Sequence, residues 1–194
     1  MTIPNDQITD ISKSLIQLMR KSYELRLKQH FSNIDFKAVA APVSNHFVYD
    51  HWMAMVLIAS PELRINSKIF YNSDAIRKMG AKALNQRTDI DSISDFMKEF
   101  CNMSAGLIRT LCTKVSLNLG ISLPCVTRGF DEVFLPQMEK GDSFRDVAAF
   151  GWDGNVITCV SQVQINRLDL LSKIDFAPIW VDLEEAAQGS IEYF

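Results

Sequence analysis

Several absences narrow the reading of this chain before any motif is considered. The longest apolar run, residues 52–59, is far short of the ~20 residues that a membrane-spanning helix requires. Lysine and arginine nowhere cluster and the formal net charge is −3, which argues against a general nucleic-acid binder. The four cysteines form no C-x-x-C pair, so a zinc ribbon or a dithiol redox site has no anchor, and reduced thiols in a cytoplasmic protein are expected. Neither G-x-S-x-G nor a glycine-rich phosphate loop occurs, which removes the usual footing of a serine hydrolase or a nucleotide binder. The first ten residues lack a basic segment followed by an apolar one, so no secretory signal is expected there.

What remains is ordinary globular material. Apolar residues make up 47% and charged residues 22% of 194 positions, enough to bury one substantial core. One domain over 1–194 is expected, with 168–194 standing apart as a C-terminal extension in which only 182–187 has a helical look. Residues 6–31 read as a first helix, with Ile8, Ile11, Leu15, Leu18, Met19 and Tyr23 inward. Its outward face carries Lys13, Gln17, Lys21, Glu24 and Lys28. Strands follow at 36–43, 52–59 and 65–71, rich in β-branched and aromatic residues. Ser73-Asp74 reads as the cap of a shorter helix over 75–85, with Ile76, Met79 and Leu84 inward. A later strand, 121–127, contains Pro124, which cannot donate to a ladder and therefore favours a sheet edge. Residues 130–143 read as an acidic loop. Asp153-Gly154, between strands at 144–150 and 155–165, is the strongest hairpin signal in the chain. Helix–strands–helix followed by helix–strands is a repeat of topology, and it predicts an α+β sandwich with a mostly antiparallel sheet covered by helices.

The stretch 92–120 is the organising element. Ser92 followed by Asp95 reads as a capping-box start, and Gly120 as the stop, because glycine enters the left-handed conformation without a Cβ penalty. Ile93, Phe96, Met97, Phe100, Leu107, Ile108, Leu111 and Val115 form an apolar stripe at helical spacing. Opposite that stripe fall Asp95, Glu99, Asn102, Gly106 and Thr113. Glu99 and Asn102 are therefore neighbours, one turn apart, on a face directed to solvent or to a partner. Glu-x-x-Asn alone is common and fits a plain solvated face. Asn and Gly are both poor helix-interior residues, Gly106 by ~1 kcal/mol relative to Ala. Their joint presence there favours a docking surface kept flat for close approach.

Glu99-Phe100-Cys101-Asn102-Met103 with Ala105-Gly106, then Gly120-Ile121-Ser122-Leu123-Pro124-Cys125-Val126 and Gly129, resembles the CheC/CheX/FliY family of chemotaxis phosphatases. In that family a Glu-x-x-Asn helix precedes an ISLP-type strand. The match is tightest over 91–129, looser over 36–86 and 144–165, and weak or absent beyond about residue 170. The resemblance implies a CheC-like α/β sandwich with two long helices side by side on one face. The first helix has no Glu-x-x-Asn, so the chain looks like the single-site CheX type. It further implies hydrolysis of the aspartyl phosphate of a phosphorylated CheY-like response regulator in two-component signalling. Asn102 would orient the attacking water and Glu99 would pair with the regulator's lysine, with Asp95 and Gly106 as flanking partner-binding positions. No cofactor on this chain is implied, the divalent cation belonging to the regulator. CheX-type relatives dimerise by joining sheets, so a homodimer is expected, with Pro124 and the 153–154 hairpin marking exposed sheet edges. Two rivals stand beside this reading: a non-catalytic regulator-binding module like the flagellar switch proteins, and an independent hydrolase using Asp131 or Glu132.

The remaining polar groups attract plainer expectations. His46, Asp50 and His51 have the residue types of a metal site but no third ligand at a suitable spacing, so no metal is expected. His30 is expected as a cation at the C-terminus of the first helix. Cys101 and Cys112 are expected to be buried thiols, and Asp131, Glu132 and Glu139 to be solvated loop charges.

Overall fold

The computed structural model describes residues 5–31, 34–42, 48–80, 89–134 and 142–187. In chain order it runs α1 (Asn5–His30), β1 (Lys37–Val39), β2 (Trp52–Ala59), β3 (Leu63–Tyr71), α2 (Ser73–Gly80) and α3 (Ile90–Lys114). Then follow β4 (Gly120–Ile121), β5 (Cys125–Arg128), a 3-10 turn (Gly129–Phe134), β6 (Asp142–Trp152), β7 (Asn155–Ile165), α4 (Leu168–Leu171) and α5 (Ala177–Ala187). The side chains of Ile8 and Met79, as well as Leu84, His46 and Glu139, lie outside the described residues.

The strands form one antiparallel, seven-stranded sheet in the order β1-β6-β7-β3-β2-β4, with β5 also on β2. Its arrangement makes the repeat of topology explicit. β7 and β3 occupy the centre, and the first strand of each repeat pairs with the second strand of the other: β1 with β6, and β4 and β5 with β2. α1 packs on α3 and on the β6 and β7 side, while α3 packs on β2, β4 and β5. Together they bury one face of the sheet, where Leu15, Leu18, Met19, Leu107, Ile108 and Leu111 meet Val56, Ile58, Ile65, Ile69, Ile157 and Val163. At the centre Ser67 and Ser161 are cross-strand partners. The buried Tyr23 hydroxyl of α1 is hydrogen-bonded to both, at 2.8 Å each. A smaller apolar group on the opposite face contains Met53, Phe70 and Val160.

Several expected boundaries move, each for a local reason. The strand expected over 121–127 is broken at Ser122-Leu123-Pro124 into β4 and β5, because proline removes a ladder donor. The Ser122 hydroxyl bridges the gap by accepting from Leu57 N–H at 3.0 Å. β1 keeps only three residues of 36–43. The cap of α2 is Asn72, whose carboxamide oxygen accepts from the N–H groups of Asp74 (2.9 Å) and Ala75 (3.2 Å), not the Ser73-Asp74 pair. The hairpin over Asp153 and Gly154 forms, with φ of 42° and 76°. The turn itself is not a free edge, since β1 pairs with β6 beside it at Ala149, Phe150 and Gly151, and the open stretch of β6 lies farther along at 142–148. Residues 168–187, of which only 182–187 had a helical look, supply α4 and α5, the latter including 182–187, and Leu168, Leu171, Ile179 and Leu183 join the core.

The acidic loop expected after residue 130 begins instead as an anchored turn. Glu132 is fully buried and its carboxylate takes the Lys68 ammonium at 2.7 Å, with Gln162 accepting from the same ammonium at 2.7 Å. Burial holds the Lys68 pKa below its ordinary value, an effect that Glu132 opposes. Gly129 is required here: a Cβ would fall 1.9 Å from the Asp50 carbonyl oxygen, and its N–H donates to His51 C=O at 2.8 Å. Removing either charge strands the other in a dry site. Glu132→Gln and Lys68→Met should each cost ~3–5 kcal/mol of unfolding free energy, whereas Lys68→Met with Glu132→Leu should recover most of it. Urea denaturation of the three variants measures this, and single variants as stable as the wild type would show that the pair anchors nothing.

Candidate functional site

α3 is placed by its two ends and its buried stripe. Its N-cap is Asp89, not Ser92: the carboxylate accepts from Ser92 N–H at 2.9 Å and from Ser92 Oγ–H at 2.7 Å. The expected capping box is therefore displaced by three residues, with Ser92 on its donor side. At the other end the helix stops at Lys114, six residues before Gly120. Ser116 takes the left-handed conformation at φ 62°. Bonds of 3.0 Å run from Leu117 N–H to Cys112 C=O and from Ser116 N–H to Thr113 C=O, closing a Schellman motif without glycine. Gly120, freed of that role, opens β4.

Ile93, Met97, Phe100, Leu107, Ile108 and Leu111 are all fully buried, and Phe96 and Val115 pack on the core from its margin. Cys101 and Cys112 are buried too, and desolvation raises both thiols, Cys112 to about 12, so they fill space rather than attack. Of the four free cysteines only Cys125 is exposed.

The face left over carries the pair. Glu99 and Asn102 are exposed, ~4.5 Å apart along the helix axis by the rise of three residues. Among the described residues neither side chain makes a hydrogen bond or an ion pair. Asp95 is exposed on the same face and paired with Lys98 at 3.0 Å. At Gly106 an added Cβ would meet nothing within 4 Å, so the position is open rather than crowded. The helix carbonyl there accepts from the Thr110 hydroxyl at 2.9 Å. This site is a ridge. Four concavities of about 380 to 700 Å³ on the surface are lined by other residues.

Other candidates are placed differently from expectation. Asp131 accepts from the Thr127 hydroxyl and from Arg128 N–H, and Glu132 is sequestered against Lys68, so neither is a solvated loop charge. Both carboxylates are held in structural bonds, which leaves the independent-hydrolase reading without a free acid or base. His51 is exposed, with Asn72 3.2 Å from its Nδ1. Among the described residues no three His, Cys, Asp or Glu side chains converge as for a metal ion.

His30 is not the expected cation. Its ring stacks on Phe96 at 4.3 Å between centroids and meets Phe31 edge-on at 5.3 Å. Burial, helped by Arg26, pushes its pKa down to about 4. The sequence held a signal for this packing in the aromatic residues at 31, 96 and 100, but not for their convergence on residue 30. A base depressed in the folded state favours its neutral form, so its contribution is complete above the ordinary value of 6.5 and is lost as pH falls toward about 4. The thermal midpoint should drop across that window, and His30→Phe should remove this component of the drop. An unchanged pH profile in the variant would show that His30 is not responsible.

A seven-stranded antiparallel sheet with two long helices on one face, and with strands exchanged between two halves, is the fold of chemotaxis proteins of the CheC and CheX type. Among solved structures the chain is similar to CheX of Vibrio vulnificus, with TM-score 0.60 and 12% identity over 76% of this chain and 97% of that one. It is also similar to CheX in the CheX–CheY–BeF3–Mg complex of Borrelia burgdorferi, with TM-score 0.61 and 15% identity over 77% and 97%. A CheC-like protein of Shewanella sp. PV-4 gives TM-score 0.57 and 16% identity over 84% and 99%. No protein-family model and no curated protein matches the sequence. Among the described residues no helix is long and apolar enough to cross a membrane.

Proposed function

We propose that this protein is a cytoplasmic phosphatase of the CheX type, which hydrolyses the aspartyl phosphate of a CheY-like response regulator. The observation that carries this reading is the exposed, unpartnered Glu99–Asn102 pair on a rigid helix of this fold. Hydrolysis of an acyl phosphate needs water held in line with the P–O bond and charge stabilisation for a loose transition state. In this reading the regulator brings a divalent cation and a lysine, which neutralise phosphoryl charge at its own site. The Asn102 carboxamide enters that site and orients the water, donating and accepting without adding charge. Glu99 takes the regulator's lysine and fixes the register of the two proteins. Asp95 and Gly106 extend the contact along the same face, the glycine letting the partner's surface approach the helix closely.

The readings separate in one series of variants, measured for regulator affinity, phosphate release and thermal stability. Asn102→Ala should slow dephosphorylation by ~10²-fold or more with affinity nearly unchanged, because its interaction belongs to the transition state. Glu99→Lys should weaken binding itself by opposing like charges. Both should stay within ~0.5 kcal/mol of wild-type stability. Gly106→Ala should gain up to ~1 kcal/mol of stability and still lose regulator affinity. A near wild-type rate for Asn102→Ala would discard the catalytic assignment and leave the binding-module reading.

Self-association follows from the sheet edges. The β4 and β5 edge is blunted by Pro124 and by the Asp131 cap on Arg128 N–H. β6 is paired by β1 only at Ala149, Phe150 and Gly151, so its residues 142–148 meet no strand on that side among the described residues. We place the homodimer contact along this open stretch of β6. Light scattering at tens of micromolar should give twice the 22.0 kDa chain mass, and a monomer at that concentration would refute it.

A further inference from the structure

Arg128 ends β5 beside α3, and its side chain is fixed in place without being spent. The guanidinium carbon lies 3.9 Å from the centroid of the Trp52 ring, its cross-strand neighbour in the β2–β5 register. Trp52 is itself packed against the core. The Arg128 N–H is capped by Asp131 at 3.1 Å, and the next residue is Gly129, locked against Asp50 and His51. The backbone therefore cannot carry the side chain away. Among the described residues the guanidinium makes no hydrogen bond and no ion pair, so its five N–H donors remain available. Arg20, Arg77 and Arg167 spend theirs on Asp146, Asp74 and Asp169.

The side of the sheet on which it emerges can be read from the register. Trp52 is opposite Tyr71 on one side and Arg128 on the other. α3 packs against β5, the strand that Arg128 ends. Trp52 belongs to the cluster under the helices, so Arg128 emerges on the helix-bearing side of the sheet, at the flank of α3. Leu123 and Phe130, 91% and 61% exposed, lie in the segments that bound β5. A stacked arginine and exposed apolar side chains on a fixed backbone are the composition of an interface anchor, whose ordering cost is already met.

We propose that Arg128 is a second anchor for the partner that docks on α3, binding a surface carboxylate beside the partner's phosphorylated aspartate. This rests on the regulator reading above. Pinned on Trp52, Arg128 does not share the phosphoryl group that Asn102 addresses. Glu99 seeks a cation and Arg128 an anion, so the interface is bipolar and one orientation of the partner satisfies both. Arg128 sets affinity and orientation and leaves the chemical step to α3.

The test uses the full chain with a CheY-type receiver, loaded with beryllofluoride and magnesium for binding and phosphorylated for turnover. Arg128→Ala should raise Kd and KM by about tenfold, leave kcat within about twofold, and flatten the salt dependence of binding. Arg128→Lys should recover only part of the loss, because an ammonium neither stacks flat nor forms a bidentate fork. Arg128→Gln keeps much of the stem over Trp52 and carries the same measurement if the alanine variant melts early. Asn102→Ala, with kcat collapsed and Kd unchanged, is the control. If that control behaves so while the Arg128 variants bind like wild type, the anchor is refuted and the phosphatase stands. An Arg128→Ala that loses kcat at constant KM refutes it equally. A wild type that neither binds nor dephosphorylates the receiver removes both.

Discussion

The rotational setting of α3 is the constraint on which the rest depends. A helix with one apolar stripe has one low-energy way to lie on a sheet, and the choice is enforced by Ile93, Met97, Phe100, Leu107, Ile108 and Leu111, all excluded from solvent. Turning the helix by one residue would bring the Glu99 charge or the Asn102 amide toward the core without a partner, at a cost of several kcal/mol. The aromatic cluster of His30, Phe31, Phe96 and Phe100 fixes the same setting from the α1 side. The Asp89 cap and the Schellman closure fix where the helix starts and stops. Glu99 and Asn102 are thus aimed by packing elsewhere, and among the described residues their own bonding capacity is unused.

The two halves of the fold treat equivalent helices differently. α1 turns a basic face outward and spends it within the chain: Arg20 makes a two-pronged contact with Asp146 on β6, and Lys21 and Lys28 share Glu24. α3 leaves its polar face unspent around residues 99 and 102. The interleaved sheet supports both helices, with Tyr23 tying α1 to the central Ser67–Ser161 pair. The two helices differ in side-chain pairing, not in the backbone plan.

In the proposed reading, an exposed ridge among the described residues suits a catalyst whose substrate is another folded protein. A small phosphoester would need a cradle for its charge, which α3 does not offer. A receiver that carries its own metal and lysine needs only a group that places water, and a carboxamide on a packed helix stays within the tolerance that positioning requires.

The periodicity of residues 92–115 was enough to place Glu99, Asn102 and Gly106 opposite the core, because helical geometry turns spacing into direction without reference to the rest of the chain. The same held for β2, whose eight residues were read to the end, and for the turn at Asp153-Gly154. Helix ends were less legible: Asp89 rather than Ser92, and Ser116 rather than Gly120, close α3, since several nearby residues can cap and only the packed helix selects among them. Contacts between distant segments were not legible at all. Lys68 with Glu132, Trp52 with Arg128 and His30 with Phe96 depend on strand register and helix docking, which local pattern does not encode. Lys68 lies inside the apolar strand β3 and is fully buried, so it needs a partner. Which carboxylate met it was decided by the tertiary structure, because only there does the buried charge find its lowest free energy.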